Sequence, residues 1–170
     1  MSRSRRWTGW VALAALLVPV VLSVAAWVVL SRKASDAEES VAADRAALDA
    51  ATAQTLSWAS VDYRKIDDFV SRVEQGATGP FLQQFKQSEQ PLRRLIQQNR
   101  SVQVPTIPKD GAALLERRGS EARVLIVMDA DVTNRSTSTP QPRQYRLQVT
   151  VTRVGGRWLT SNLEFVDATA

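Results

Sequence analysis

Tyr63 and Asp67 stand four residues apart, a spacing that on a helix puts a phenol beside a carboxylate on one face. That pair is the proton-shuttling equipment an isomerase or hydratase would use. The competing reading is structural: Asp62 and Asp67 at a helix start accept backbone N–H groups and meet the positive end of the dipole, while Tyr63 packs with its hydroxyl at the rim. The structural reading is preferred, and no catalytic residue is assigned. Asp129 and Asp131 alternate onto one strand face, which could offer oxygens to a hard cation. No third or fourth ligand lies nearby in sequence, so they mark a strand emerging into solvent and no metal site is assigned. Arg93-Arg94 and Arg117-Arg118 are basic doublets suited to headgroups or to an acidic partner, and are read as solvated surface pairs.

What is missing narrows the chemistry further. The 170 residues contain no histidine and no cysteine, which removes imidazole bases, thiolate nucleophiles, disulfides and the usual transition-metal ligands. No cofactor is implied. The formal charge of +5 comes from 22 basic and 17 acidic residues, but Arg3, Arg5 and Arg6 precede an apolar run and no basic stripe follows it. Nucleic-acid binding is therefore not expected.

The elements that must position these residues begin with that run. Trp7 to Leu30 has no charged side chain, and roughly 24 residues at about 1.5 Å each exceed a hydrocarbon core of about 30 Å. The expectation is a single transmembrane helix over 7–30, with 1–6 cytoplasmic and the remainder outside, because the arginines outweigh Arg32 and Lys33. A cleaved signal ending near Ser23-Val24-Ala25 is the alternative, disfavoured because the apolar stretch continues to Leu30. Residues 31–45 read as a stalk and 46–170 as one exported domain.

Within that domain Leu48, Thr52, Thr55, Leu56 and Ala59 recur at helical spacing, as do Ile66, Phe69, Val70 and Val73 before Gly76. Pro80 opens a helix through Phe81 and Phe85, and Pro91 opens another through Leu92, Leu95 and Ile96. After Arg100 the period becomes two. Strands are expected around Val102–Ile107, Leu114–Arg117, Ala122–Asp129, Tyr145–Thr152 and Trp158–Val166, with Val124–Met128 apolar enough to be covered on both faces. Asn134–Pro142 reads as a long exposed loop, and Gly155-Gly156 as a tight hairpin turn. Helices first and then an antiparallel meander give an α+β class.

Several short motifs in this order resemble a known family. They are the basic N-terminus and single anchor, Trp58-Ala59, Asp62-Tyr63-Arg64-Lys65-Ile66-Asp67, Ala77-Thr78-Gly79 before Phe81 and Phe85, Val132-Thr133-Asn134, and Gly156-Arg157-Trp158-Leu159 with Phe165-Val166. The chain resembles the Mce-associated membrane proteins of actinobacteria, accessories of the mammalian-cell-entry lipid-import systems. The resemblance implies a cone-shaped domain of the nuclear-transport-factor type, three or four helices closing over a curved antiparallel sheet. It also implies a non-enzymatic accessory subunit in the cell membrane, with Mce transporter components as partners. Two alternatives remain: a carrier holding a lipid or sterol in the cone, lined by Tyr63, Phe69, Phe81, Phe85, Val127 and Trp158, and an isomerase- or hydratase-like enzyme. Pairing of two copies through the sheet is a further expectation.

Overall fold

Alanine has the highest helix propensity and the smallest side chain, and both properties shape the first element, helix α1, residues 38–59. The computed structural model describes residues 38–166, and a compact unit begins at Asp44. Ala47, Ala51, Thr55 and Ala59, four residues apart, are the fully buried positions of α1, while Leu48 and Leu56 are half-buried. Small side chains let the helix backbone lie close to the sheet. The buried Thr55 hydroxyl donates to the Ala51 carbonyl at 2.7 Å, so it enters the core with its polar group satisfied.

The two-residue strand β1 (Val61–Asp62) leads through a 3₁₀ turn (Tyr63–Lys65) into α2 (Ile66–Gly76), followed by α3 (Gly79–Asn99). Ile66, Phe69, Val70 and Val73 form the buried stripe of α2, as their spacing predicts. Where two helices were expected, α3 runs unbroken for 21 residues with Pro91 inside it. Proline removes one N–H and crowds the carbonyl four residues back. Here Pro91 and Gln87 both face solvent, so water takes the freed carbonyl and the helix continues. Arg100 ends α3 in the left-handed region at φ 51°, and its N–H bonds the Gln97 carbonyl.

The strands β2 (Val102–Thr106), β3 (Ala112–Arg118), β4 (Glu121–Asn134), β5 (Thr137–Val154) and β6 (Arg157–Phe165) complete one antiparallel sheet of order β1-β2-β4-β5-β6, with β3 also beside β4. Strand β4 is the spine. One edge pairs with β5 along its length; the other pairs with β3 over Glu121–Ile126 and then with β2 over Asp129–Thr133. Gly111 bridges that change of partner: its carbonyl accepts the Val127 N–H at 2.7 Å, and a Cβ there would stand 2.8 Å from the Val127 oxygen.

Residues 134–142, expected as a loop, are instead strand on both sides of a two-residue turn. Asn134 Oδ1 accepts the N–H groups of Ser136 and Thr137 and so builds the turn. Pro140 and Pro142 fit because β6 pairs only with Leu147–Val154, which leaves this part of β5 an edge where a missing N–H disturbs no ladder. Strand β4 corrects a second expectation. Even-numbered Val124, Ile126 and Met128 are buried beneath the helices, whereas Leu125 and Val127 are only half-buried on the opposite face.

Two apolar clusters result. The larger holds Ile126, Met128, Leu147, Val149 and Trp158 against α1; the smaller joins Phe69, Val73, Phe85 and Ile96 between α2 and α3. Each fully buried aliphatic contributes about 1.5–3 kcal/mol. Trp58 packs on both clusters and links them. Among the described residues no helix is long and apolar enough to cross a membrane; the run expected to do so, 7–30, lies outside them.

Candidate functional site

Between α2, α3 and the inner face of β2 and β4 lies an open groove of about 370 Å³. Its walls are aromatic because α2 and α3 aim Phe69 and Phe85 at one another, ring centroids 6.1 Å apart and edge to face, while Phe81 meets Trp58 at 6.5 Å. Leu92 and Ile96 extend the apolar wall, and Val132 closes it from the sheet. Ser101 and Gln103 supply the polar rim. Gln103 is fixed in place: Nε2 donates to the Ala59 carbonyl at 2.9 Å, and Oε1 accepts from the Tyr145 hydroxyl at 3.5 Å. No ionisable side chain lines the groove.

One polar atom at this site is unsatisfied. Trp58 Nε1 is buried and has no hydrogen-bond partner among the described residues. A buried unpaired donor costs about 1–3 kcal/mol, so a natural chain that keeps one calls for an explanation.

The six residues expected to line an interior pocket divide evenly. Phe69, Phe81 and Phe85 line the groove. Tyr63 packs beside it, its ring under the Arg64 guanidinium at 5.7 Å. Val127 falls on the opposite face of the sheet, because the strand alternation that buries Ile126 and Met128 turns it outward. Trp158 is buried in the other cluster against α1. Trp58, quoted among the sequence motifs but not chosen as a lining residue, is the one that matters most here. Its place at the end of an amphipathic helix was the available signal.

The pairing of Tyr63 with Asp67 is also corrected. Tyr63 belongs to the 3₁₀ turn and Asp67 to α2, with Lys65 at φ −127° breaking the helix between them. Asp67 is 87% exposed and pairs with Arg93 at 2.5 Å. Arg93, read as a solvated surface cation, is half-buried and also holds Glu89 at 2.7 Å, tying α2 to α3. Arg117 likewise joins β3 to α1 through Asp44. Asp62 caps the turn: hydrogen bonds from the Arg64 side chain and then its backbone N–H lower its carboxyl to about 2. Asp129 and Asp131 are exposed, as expected, and no group of three metal-binding side chains occurs among the described residues.

Comparison with known proteins adds a family. Residues 9–167 match the one described as "Uncharacterized protein Rv1363c/MT1408-like". The chain belongs to the Rv1363c/MT1408-like family. Its members include Rv1363c of Mycobacterium tuberculosis, 33% identical over 124 residues, which are 72% of this chain and 47% of the relative; the chain thus spans about half that protein's length. Two solved structures share the fold: an IcmL-like type IV secretion system protein from Legionella pneumophila (TM-score 0.57, 11% identity, 72% of this chain and 91% of that one) and TraH from the Gram-positive conjugative plasmid pIP501 (0.51, 7%, 72% and 93%). Helices closing over a curled antiparallel sheet make the expected cone-like α+β architecture.

Proposed function

We propose that this Rv1363c/MT1408-like chain is a non-enzymatic, membrane-tethered accessory subunit of an Mce-type lipid import system, its exported domain acting as a binding module through the groove between α2 and α3. The observation that carries the reading is the groove itself: aromatic, open to solvent and lined by no group that could give or take a proton. Such surfaces bind rather than react. The N-terminal arginines and the apolar run over 7–30 support the tether, which holds the domain at the membrane and raises its effective concentration toward membrane partners. The cone-like fold hosts many functions and does not by itself select one.

A carrier of lipid or sterol is the second reading, favoured by the groove's size, which falls in the range of small-molecule sites. Purification of the full chain from native membranes in mild detergent, followed by mass spectrometry of proteins and lipids, separates the two. Transporter components without stoichiometric lipid support the subunit. Stoichiometric lipid without those components supports the carrier.

A further inference from the structure

A second cavity, of about 230 Å³, lies beside the aromatic groove, and the same three side chains, Trp58, Val73 and Phe81, line both. Its chemistry is different. Arg72 and Arg157 line it with Gln54, Gln75 and Ser57, and no carboxylate does. Each guanidinium is held by a backbone carbonyl: Arg72 Nη2 donates to Ser60 at 3.0 Å, Arg157 Nη2 to Gln75 at 3.2 Å. Neither forms an ion pair among the described residues, so most of their N–H donors remain open to an anion.

Trp58, Val73 and Phe81 form the wall that the two open cavities share, with the Trp58 ring 6.5 Å from that of Phe81. Packing on both apolar clusters holds the Trp58 ring, and its buried Nε1 has no hydrogen-bond partner among the described residues. Across that wall a basic mouth adjoins an aromatic slot. An oxygen placed at the junction would satisfy the indole N–H.

We propose that the two cavities form one site for an anionic single-chain amphiphile, with its hydrocarbon chain along Phe69, Phe81 and Phe85 and its carboxylate or phosphate on Arg72 and Arg157. The site rests on the groove being a binding surface and goes further: it fixes the ligand's charge, its single chain and its direction. A neutral lipid would leave the arginines unused, and a soluble anion would leave the aromatic slot empty.

The full chain in phosphatidylcholine nanodiscs is titrated calorimetrically with decanoate, 1-decanol and inorganic phosphate, empty discs being subtracted. Decanoate is expected to bind about tenfold or more tightly than decanol, with phosphate weaker still. The double substitution R72Q/R157Q, at exposed side chains that leave the core intact, is expected to weaken decanoate by about tenfold and leave decanol within about twofold. Trp58→Phe removes the N–H while keeping an aromatic wall and is expected to weaken decanoate more than decanol; an equal effect on both removes the indole from the headgroup end of the site. Equal binding of decanoate and decanol, or decanoate binding indifferent to R72Q/R157Q, overturns the anion anchor and leaves an apolar groove. Phosphate binding as tightly as decanoate overturns the amphiphile. Binding of none of the three, while transporter components still copurify, overturns the ligand site and leaves the accessory reading standing.

Discussion

At the turn joining β5 to β6, Gly155 and Gly156 sit at φ +56° and +82°, and nothing lies within 4 Å of where a Cβ would stand at either. A side chain there meets strain but no clash. Gly156→Val is expected to cost about 1–3 kcal/mol and Gly156→Asn distinctly less, since asparagine tolerates the left-handed region; urea midpoints of the two variants check the order. Asp62 makes a pH-dependent prediction. Its carboxyl is lowered in the folded state from 3.8 to about 2, so its contribution is complete above the ordinary value and disappears as pH falls from about 4 through about 2. Melting temperatures of wild type and Asp62→Asn should therefore differ at neutral pH, draw together as pH falls below about 4 and converge only at about pH 2. On the proposed accessory role, Tyr63→Phe and Asp67→Asn, singly or together, are expected to leave lipid uptake close to wild type; loss of uptake with normal folding would return the phenol to a chemical role. At this scale the sequence made the three phenylalanines of the groove visible through helical spacing. It could not reveal that Val127 faces away, because an apolar run gives no phase for a strand, nor that Trp58 rather than Trp158 stands at the groove, because two buried indoles look alike until the helices are docked.

Pro91 and Gln54 show what whole elements gain or give up. Pro91→Ala restores the bond to the Gln87 carbonyl in the middle of α3 and is expected to stabilise the domain by about 1–3 kcal/mol, read as a shift of the denaturation midpoint. Gln54 does the reverse job: from α1 it reaches the outer edge of β6, donating to the Trp158 carbonyl at 2.6 Å and accepting the Thr160 N–H at 2.8 Å. Thr78 N–H completes that edge by bonding the Thr160 carbonyl at 2.8 Å. Gln54→Ala strips two backbone groups of their partners, so a loss of about 1–3 kcal/mol is expected, with concentration-dependent association through the uncovered strand as its second signature in sedimentation. Periodicity made α2, both halves of α3 and the strands β2 to β6 legible in the chain, together with the glycine turn. It placed Thr55 and Ala59 on the packed face of α1 but missed Ala47 and Ala51, because hydropathy weighs leucine above alanine although close docking requires the smaller residue. It missed the arm over 134–142 because serine, threonine and proline mark loops unless an edge makes their lost donors harmless.

For the molecule as a whole, Trp58 belongs to both apolar clusters, so neither loosens without the other. Near- and far-ultraviolet circular dichroism should report one coincident unfolding transition, and Trp58→Ala should separate the two signals as well as lower stability by about 3 kcal/mol. The order of the parts along the chain has another consequence, for a polypeptide that leaves the ribosome N-terminus first. Helix α1 is made before any strand it packs on, yet its seat is formed by β4, β5 and β6, which end at Phe165. At about 5–20 residues per second the helix waits on the order of ten seconds for that surface to exist. A leucine-rich face would spend the interval seeking other partners. A stripe of alanines is quiet until the sheet arrives, and the modest apolarity that makes Ala47 and Ala51 easy to overlook in the chain also makes α1 safe to synthesise first.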